Sequence, residues 1–310
     1  MKVLVTGANG FVGGWAVREL LARGHEVFAS DMQEEAGERL PAGVGYQASD
    51  VRDLNGMKEL LREVRPGAVL HLGGIAFVPL AWQAPDQVFG VNTVGTMNVL
   101  AAARAADEGI RTLVVTSAEV YGIHAAAGGA ALDEGAAFAP ENLYGVTKAA
   151  ADRGALAYGE HFGLDVMVAR PSNHIGPGQS APFVTTAFAK QLKEIAVRGA
   201  APRMRVGNLD ATRDFTDVRD VVRAYALLLE KGRPRTAYNI ASGRMVAIRE
   251  ILDMLCEAAG VRPEVVVAPE LYRTEAPRLE LDTTRLREDT GWKAEIPLAK
   301  TLRDIYEAMA

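Results

Sequence analysis

Short β-branched, apolar runs alternate with longer stretches rich in alanine, leucine, arginine and glutamate through the first half of the chain. The runs Lys2 to Thr6, Glu26 to Ser30, Ala68 to Leu72, Leu113 to Thr116 and Val166 to Ala169 are almost continuously apolar. Such strands are buried on both faces, as in a parallel sheet with helices packed on either side. The pattern therefore predicts an α/β protein built on a doubly wound parallel sheet. After Arg170-Pro171 the character changes to a loop segment, His174 to Pro182, followed by a helix over Thr185 to Arg198 and mixed elements. These form a smaller C-terminal α/β unit. A helical stretch, Asp220 to Glu230, and an apolar run, Ala237 to Ile240, return to the first unit. The expected division is 1–170 plus about 214–242 for the large domain, and 171–213 plus about 243–310 for the small one. No internal repeat is visible, and the alanine-rich stretch Ala125 to Ala131 reads as a flexible loop.

Composition narrows the function classes. The 310 residues are 49% hydrophobic, enough for a sizeable core. With 34 Lys+Arg against 39 Asp+Glu the net charge is −5, and no basic stripe with interleaved aromatics is present, which argues against nucleic acid as a partner. Cys256 is the only cysteine, so an intramolecular disulfide and Cys/His zinc spacing are both excluded and no metal is expected. A lone core thiol points to a reducing, cytoplasmic setting. The apolar start Met1 to Val5 is too short for a signal sequence, and no run approaches the roughly 18 apolar residues of a membrane span.

Directly after the first apolar run stands Thr6-Gly7-Ala8-Asn9-Gly10-Phe11-Val12-Gly13, opening a helix to about Arg23. Gly7 permits a tight turn, Gly10 lets backbone approach a pyrophosphate, and Gly13 lets helix and strand pack closely, with Asn9, Phe11 and Val12 completing the loop. This is the placement a dinucleotide requires in a Rossmann sheet. Asp31 closes the second strand 21 residues after Gly10, where a carboxylate accepts from the adenosine ribose and repels a 2′-phosphate. No arginine follows it before Arg39, so NAD(H) is favoured over NADP(H). Asp50-Val51, between the second and third of these runs, is placed to cap the adenine edge.

Tyr144 and Lys148 stand at i and i+4, on one face of a helix with Cβ atoms about 5–6 Å apart. To act as an acid/base near neutrality a phenol of pKa ~10 must fall by about 3, or roughly 4 kcal/mol. A positive charge about 4 Å away supplies roughly that much only where solvent is partly excluded. A Tyr and a Lys four apart are commonplace on a solvated helix. Their company is not: Thr116-Ser117-Ala118-Glu119-Val120-Tyr121-Gly122 follows another strand at the carboxyl edge of the sheet. On these three motifs the whole chain resembles the extended short-chain dehydrogenases/reductases of nucleotide-sugar metabolism. The resemblance implies that Ser117 hydrogen-bonds the reacting sugar oxygen, Tyr144 is the general acid/base, and Lys148 binds the nicotinamide ribose while lowering the tyrosine pKa. It also implies cofactor contacts at Leu72, Gly73 and Gly74, where the family usually has Leu-Ala-Ala, and at Asn92 of Asn-Thr-Val-Gly-Thr, whose role is more structural than chemical. His25, His71 and His161 read as satisfied structural histidines.

The C-terminal segments Arg170-Pro171-Ser172-Asn173-His174-Ile175-Gly176-Pro177-Gly178-Gln179 and Ala211-Thr212-Arg213-Asp214-Phe215-Thr216-Asp217-Val218 look like the GDP-mannose branch of that family. The resemblance implies NAD(P)H-dependent 4-keto reduction of a GDP-4-keto-6-deoxy sugar. Arg213 and Lys190 would hold the diphosphate, Asn173 a phosphate or hexose hydroxyl, and Glu275 the nucleotide ribose, with Val184 lining the pocket. The segment Tyr272-Arg273-Thr274-Glu275 sets its arginine one place from the family's Arg-Pro-x-Glu. A 4,6-dehydratase, with Glu119 as base, and an NAD-recycling epimerase, favoured by Asp31, are the alternative enzymes; a non-catalytic dinucleotide sensor would be expected to have lost Ser117, Tyr144 or Lys148. A homodimer through helices near Asn92 to Ala106 and Tyr144 to His161 is a further implication.

Overall fold

The computed structural model describes residues 1–122, 131–181, 183–272 and 279–309. Most of the loop expected over Ala125 to Ala131 lies outside them. Seven strands form the large sheet: β1 (Lys2–Thr6), β2 (Glu26–Asp31), β3 (Gly45–Ala48), β4 (Ala68–His71), β5 (Arg111–Val115), β6 (Val166–Pro171) and, after three strands elsewhere, β10 (Thr236–Ile240). Their order is β10-β6-β5-β4-β1-β2-β3, and every pair is parallel. β7 (Asn173–Ile175), β9 (Thr212–Asp217) and β11 (Met245–Ala247) make a three-stranded sheet, and β8 (Arg203–Val206) pairs with β12 (Glu264–Val267).

Alternate residues of the continuous apolar strands serve opposite faces. Val3 and Val5 of β1 pack with Ala16, Val17 and Leu20 of helix Phe11–Ala22 and with Val221, Tyr225 and Leu228 of helix Val218–Lys231. Leu4 and Val69 point the other way, onto Met57, Leu60 and Val99 of helices Leu54–Val64 and Thr96–Ala106. Two-sided burial is the physical reason these strands show no polar alternation.

A second core joins helices Val184–Arg198, Ile248–Ala259 and Leu298–Glu307 through Phe188, Leu192, Ile251, Leu255, Leu302 and Ile305. The chain passes between the two cores more than once. β9 belongs to the small sheet, whereas the helix that follows it packs on the large one. Near the end, buried Trp292 donates from Nε1 to Asp220 O, and the Asp220 carboxylate accepts from the backbone N–H groups of Glu295 and Ile296. Among the described residues no helix is long and apolar enough to cross a membrane, and no group of three or more His, Cys, Asp or Glu could hold a metal ion.

Candidate active site

The strand order reverses between β1 and β4, and in an open parallel sheet ligands bind in the crevice outside the carboxyl ends at such a point. The turn after β1 is built for close approach. Gly7 lies at φ 70°, and a Cβ there would fall 2.7 Å from Gly73 N and 2.8 Å from Leu72 C. At Gly13 a Cβ would meet Gly7 O at 2.4 Å and Ala8 O at 2.5 Å. Gly10, the N-cap, has no such obstacle nearer than Gly7 O at 3.1 Å and takes no side-chain cap, so the first-turn N–H groups remain free of a capping side chain. Phe11 and Val12 pack against the core behind them. A cradle of bare backbone at a helix N-terminus suits a diphosphate, and these residues fit a dinucleotide. Gly13→Ala is accordingly expected to cost about 1–3 kcal/mol by overpacking and to weaken dinucleotide binding, measurable by thermal unfolding and by quenching of protein fluorescence on cofactor addition. An unchanged melting temperature would contradict the packing.

Beside this cradle Asp31 accepts from the backbone N–H groups of Asn9 (3.0 Å) and Met32 (2.7 Å). The Asn9 side chain is a clasp. It donates to Gln33 Oε1, Glu35 O and Tyr46 Oη and accepts from Gly37 N–H, which fixes the loop after β2. Arg39 turns away from Asp31, donating to Gly178 O. Across the crevice, Asp50 is paired with Arg52, whose hydrogen bonds hold its carboxyl below the usual range, while Val51 is buried against Gly73 and Gly95. Gly73 N–H donates to Thr6 Oγ1, which also bonds His71 Nδ1. His71 Nε2 meets Thr96 Oγ1, itself a donor to Asn92 O, so the buried ring is a neutral link between β1, β4 and helix Thr96–Ala106. Burial, and then the charge of Lys148, push it down to about 3. His25 pairs with Glu230; His161 is exposed at a helix end, packed edge-on to Phe162, and is not a buried, satisfied group.

Tyr144 and Lys148 sit on the first turns of helix Leu143–Phe162, whose N-cap Asn142 accepts from Gly145 N–H. Both are buried, at 8% exposure each. Burial raises the Tyr144 phenol to about 12; a hydrogen bond with the Ser117 hydroxyl opposes this and the Glu119 charge reinforces it. The Lys148 ammonium donates to Val115 O at 3.0 Å, and desolvation pushes it down to about 8. Ser117, two residues beyond β5, accepts from Glu119 N–H, which leaves its O–H to point at Tyr144. Glu119 is exposed and bonded by Asn142 Nδ2. Asn92 lies in a π turn, Gly90–Gly95, a helical irregularity common at functional sites. Its side chain is engaged with Ile75 N–H and O and with Thr147 Oγ1, next to Lys148. A Cβ on Gly74 would come within 3.1 Å of Lys148 Nζ.

His174 stacks on Phe11 of the glycine loop with ring centroids 6.5 Å apart, and Trp15 Nε1 donates to Pro177 O. The segment after β6 is thereby laid against the dinucleotide cradle. Asn173, exposed on β7, donates to Asp214 O; its strand partner Phe215 is two residues from Arg213 on β9. Arg213 donates to Thr212 O. Val184 and exposed Lys190 belong to helix Val184–Arg198, a separate element from the β7–β9 pair that carries Asn173 and Arg213. Glu275 lies outside the described residues.

A buried ion pair ties the helix that carries Tyr144 and Lys148 to β6. Arg170 at the end of β6 and Asp152, one turn after Lys148, are 1% and 0% exposed and make two bonds of 2.8 Å. Thr116, the neighbour of Ser117, donates to Asp152 Oδ2, and Arg170 also donates to Tyr121 Oη, which bonds Asn239. These residues were not singled out from sequence. The signal available was an arginine at the end of a fully apolar buried strand, which demands a carboxylate partner.

The sequence model of the GDP-mannose 4,6 dehydratase family matches residues 4–305. The chain is 36% identical over 305 residues to the GDP-6-deoxy-D-mannose reductase of Pseudomonas aeruginosa, covering 98% of this chain and 95% of that one. Its fold matches the structure of RMD from P. aeruginosa complexed with NADPH (TM-score 0.86, 35% identity, 99% and 98% of the two chains). It likewise matches the UDP-glucose 4-epimerase of Thermus thermophilus in complex with NAD (TM-score 0.86, 29% identity, 99% and 98%). With the glycine cradle, the Ser117–Tyr144 contact and this full-length likeness together, the chain belongs to the GDP-mannose 4,6-dehydratase family, oxidoreductases within the extended short-chain dehydrogenases/reductases.

Proposed function

We propose that this protein reduces the 4-keto group of a GDP-4-keto-6-deoxy sugar at the expense of a reduced nicotinamide dinucleotide. The observation that carries the reading is the 36% identity to a GDP-6-deoxy-D-mannose reductase along almost the full length of both chains. Reduced nicotinamide, when bound, supplies the hydride. Tyr144 donates its phenolic proton to the oxygen that becomes the 4-hydroxyl, and the O–H of Ser117, turned from the phenol to the substrate, stabilises the charge that develops there. The raised phenol pKa suits this direction, because the group must arrive protonated. Lys148 holds the nicotinamide ribose, and Asn173, Lys190, Arg213 and Glu275 receive the sugar nucleotide. Leu72, Gly73, Gly74 and Val51 shape the cofactor wall, with Asp50 and Asn92 fixing its edges. The test is oxidation of reduced cofactor on addition of GDP-4-keto-6-deoxymannose; no turnover above a no-enzyme control would refute the reading.

Glu119 supports a second reading. Its carboxylate is close enough to raise the Tyr144 pKa and is exposed, as the base of a 4,6-dehydratase would need to be. Formation of a 4-keto-6-deoxy product from GDP-mannose without added reductant would replace the reductase assignment. For the cofactor, Asp31 at the ribose position supports NADH, since Arg39 is committed to Gly178 O and Arg18 to Gly14 O. The expected kcat/KM is higher for NADH than for NADPH; the reverse ranking would overturn this. We further infer a cytoplasmic homodimer. Exposed Val94, and exposed Val146 and Ala150 on the first turns of helix Leu143–Phe162, support it, and sedimentation at micromolar concentration tests it.

A further inference from the structure

At the outer edge of the large sheet, beside the start of β10, lies a cavity of about 370 Å³. Volumes of this size lie within the usual range for small-molecule sites. Five guanidinium groups line it, those of Arg153, Arg170, Arg233, Arg235 and Arg285, against one carboxylate, Glu134. In a chain of net charge −5 this is an unusual concentration of one sign.

The ion pairs at its wall do not cancel the charge. Arg170 is matched by Asp152, Arg233 by Asp289 and Arg285 by Glu134. Arg235 donates to a neutral acceptor, Leu164 O, and Arg153 lies over the Phe138 ring. Among the described residues five guanidiniums thus face three carboxylates. The excess of two positive charges sits around a shallow, largely open depression. Arg235 is, in addition, held at φ 56°, in the left-handed region that costs a non-glycine residue about 1–2 kcal/mol. Capping the exposed edge of β10 does not require it, because Arg285 already donates to Ala237 O.

We propose that this cavity is a second, anion-binding site that takes a diphosphate group, free or carried on a nucleoside. Guanidinium groups recognise phosphoryl oxygens by paired, charge-assisted hydrogen bonds, and two adjacent phosphoryl groups match the uncompensated charge. The site lies away from the crevice at the strand carboxyl ends that holds Tyr144 and Ser117. It reaches that crevice through a rigid link, since Arg170 forms part of its wall and is bonded to Asp152, which accepts from Thr116 beside Ser117. The proposal rests on this geometry and is independent of the identity of the sugar substrate.

Titration calorimetry of inorganic pyrophosphate and of ADP into the full-length protein, already saturated with NADH and GDP-mannose so that the dinucleotide cradle and the Arg213 pocket are occupied, tests it. Saturable binding of either ligand is expected, weakened at least about tenfold in R153Q/R235Q, the size of one lost charged hydrogen bond, and unchanged in K58Q, which removes an exposed charge on helix Leu54–Val64. Comparable affinity for the two ligands assigns recognition to the diphosphate alone, and tighter ADP assigns it to a nucleoside diphosphate; both support the site. R153Q and R235Q singly, each checked for a wild-type melting temperature, guard against misfolding of the double variant. Absence of saturable binding by either ligand, retention of full affinity in R153Q/R235Q, or equal loss in K58Q and R153Q/R235Q would overturn it.

Discussion

Tyr144→Phe is expected to lower kcat for carbonyl reduction by about 10²–10⁴-fold, the range that a positioned proton donor contributes. The melting temperature should change little, because the ring stays packed against Ala81 and Val88 and only the hydroxyl that meets Ser117 is lost. Cofactor affinity, measured separately by fluorescence, should be retained, since Lys148 is anchored to Val115 O rather than to the phenol. A variant with wild-type kcat would remove Tyr144 from the chemistry.

The pH dependence of the same reaction distinguishes the two members of the pair. Reduction consumes a proton from the phenol, so the protonated form is active; with the phenol pushed up to about 12 by burial, that form is present across the ordinary range. Lys148 has its ammonium pushed down to about 8, so its charge is complete below that value and lost as pH rises through it. The rate is expected to be level between pH 6 and 7 and to decline above about 8, and a constant rate up to pH 10 would contradict the assignment of Lys148.

How much of this was legible in the chain depends on whether a residue's neighbours are close in sequence. The sheet was legible because Val3, Leu4 and Val5 are all buried, each on one or other face, and the run itself reports that. The glycine loop was legible because a tight turn and a helix start are local. The surroundings of Lys148 were less legible: helical spacing places its Cβ beside that of Tyr144, but says nothing of the carbonyl of Val115 in β5 to which the ammonium donates. Asn9 reads as a ligand residue by position, yet it spends its amide on Gln33, Glu35, Gly37 and Tyr46, up to 37 residues away. Arg170 and Asp152 belong to this class of long-range facts. Nothing near either residue in sequence announces its partner.

That pair is the subject of the second large expected effect. Asp152→Ala should destabilise the protein by about 3–5 kcal/mol, because it leaves the Arg170 guanidinium buried without its carboxylate. At about 2 °C per kcal/mol for a chain of this size, the melting temperature should fall by roughly 6–10 °C. Asp152→Asn should cost nearly as much, since it preserves shape but not charge. The damage should also reach the chemistry, because Thr116 loses its acceptor and stands next to Ser117, whose O–H meets Tyr144. The decisive comparison is the double replacement Asp152→Leu with Arg170→Met. Removing both charges abolishes the desolvation cost of each, so the double variant is expected to be more stable than Asp152→Ala alone, with a coupling energy near ~3 kcal/mol in the cycle built from both single changes. If the two single losses simply added, the pair would be two independent packing residues. The tether from β6 to the helix carrying Tyr144 and Lys148 would then have to be sought in the apolar contacts of Ala155 with Val166 and Val168.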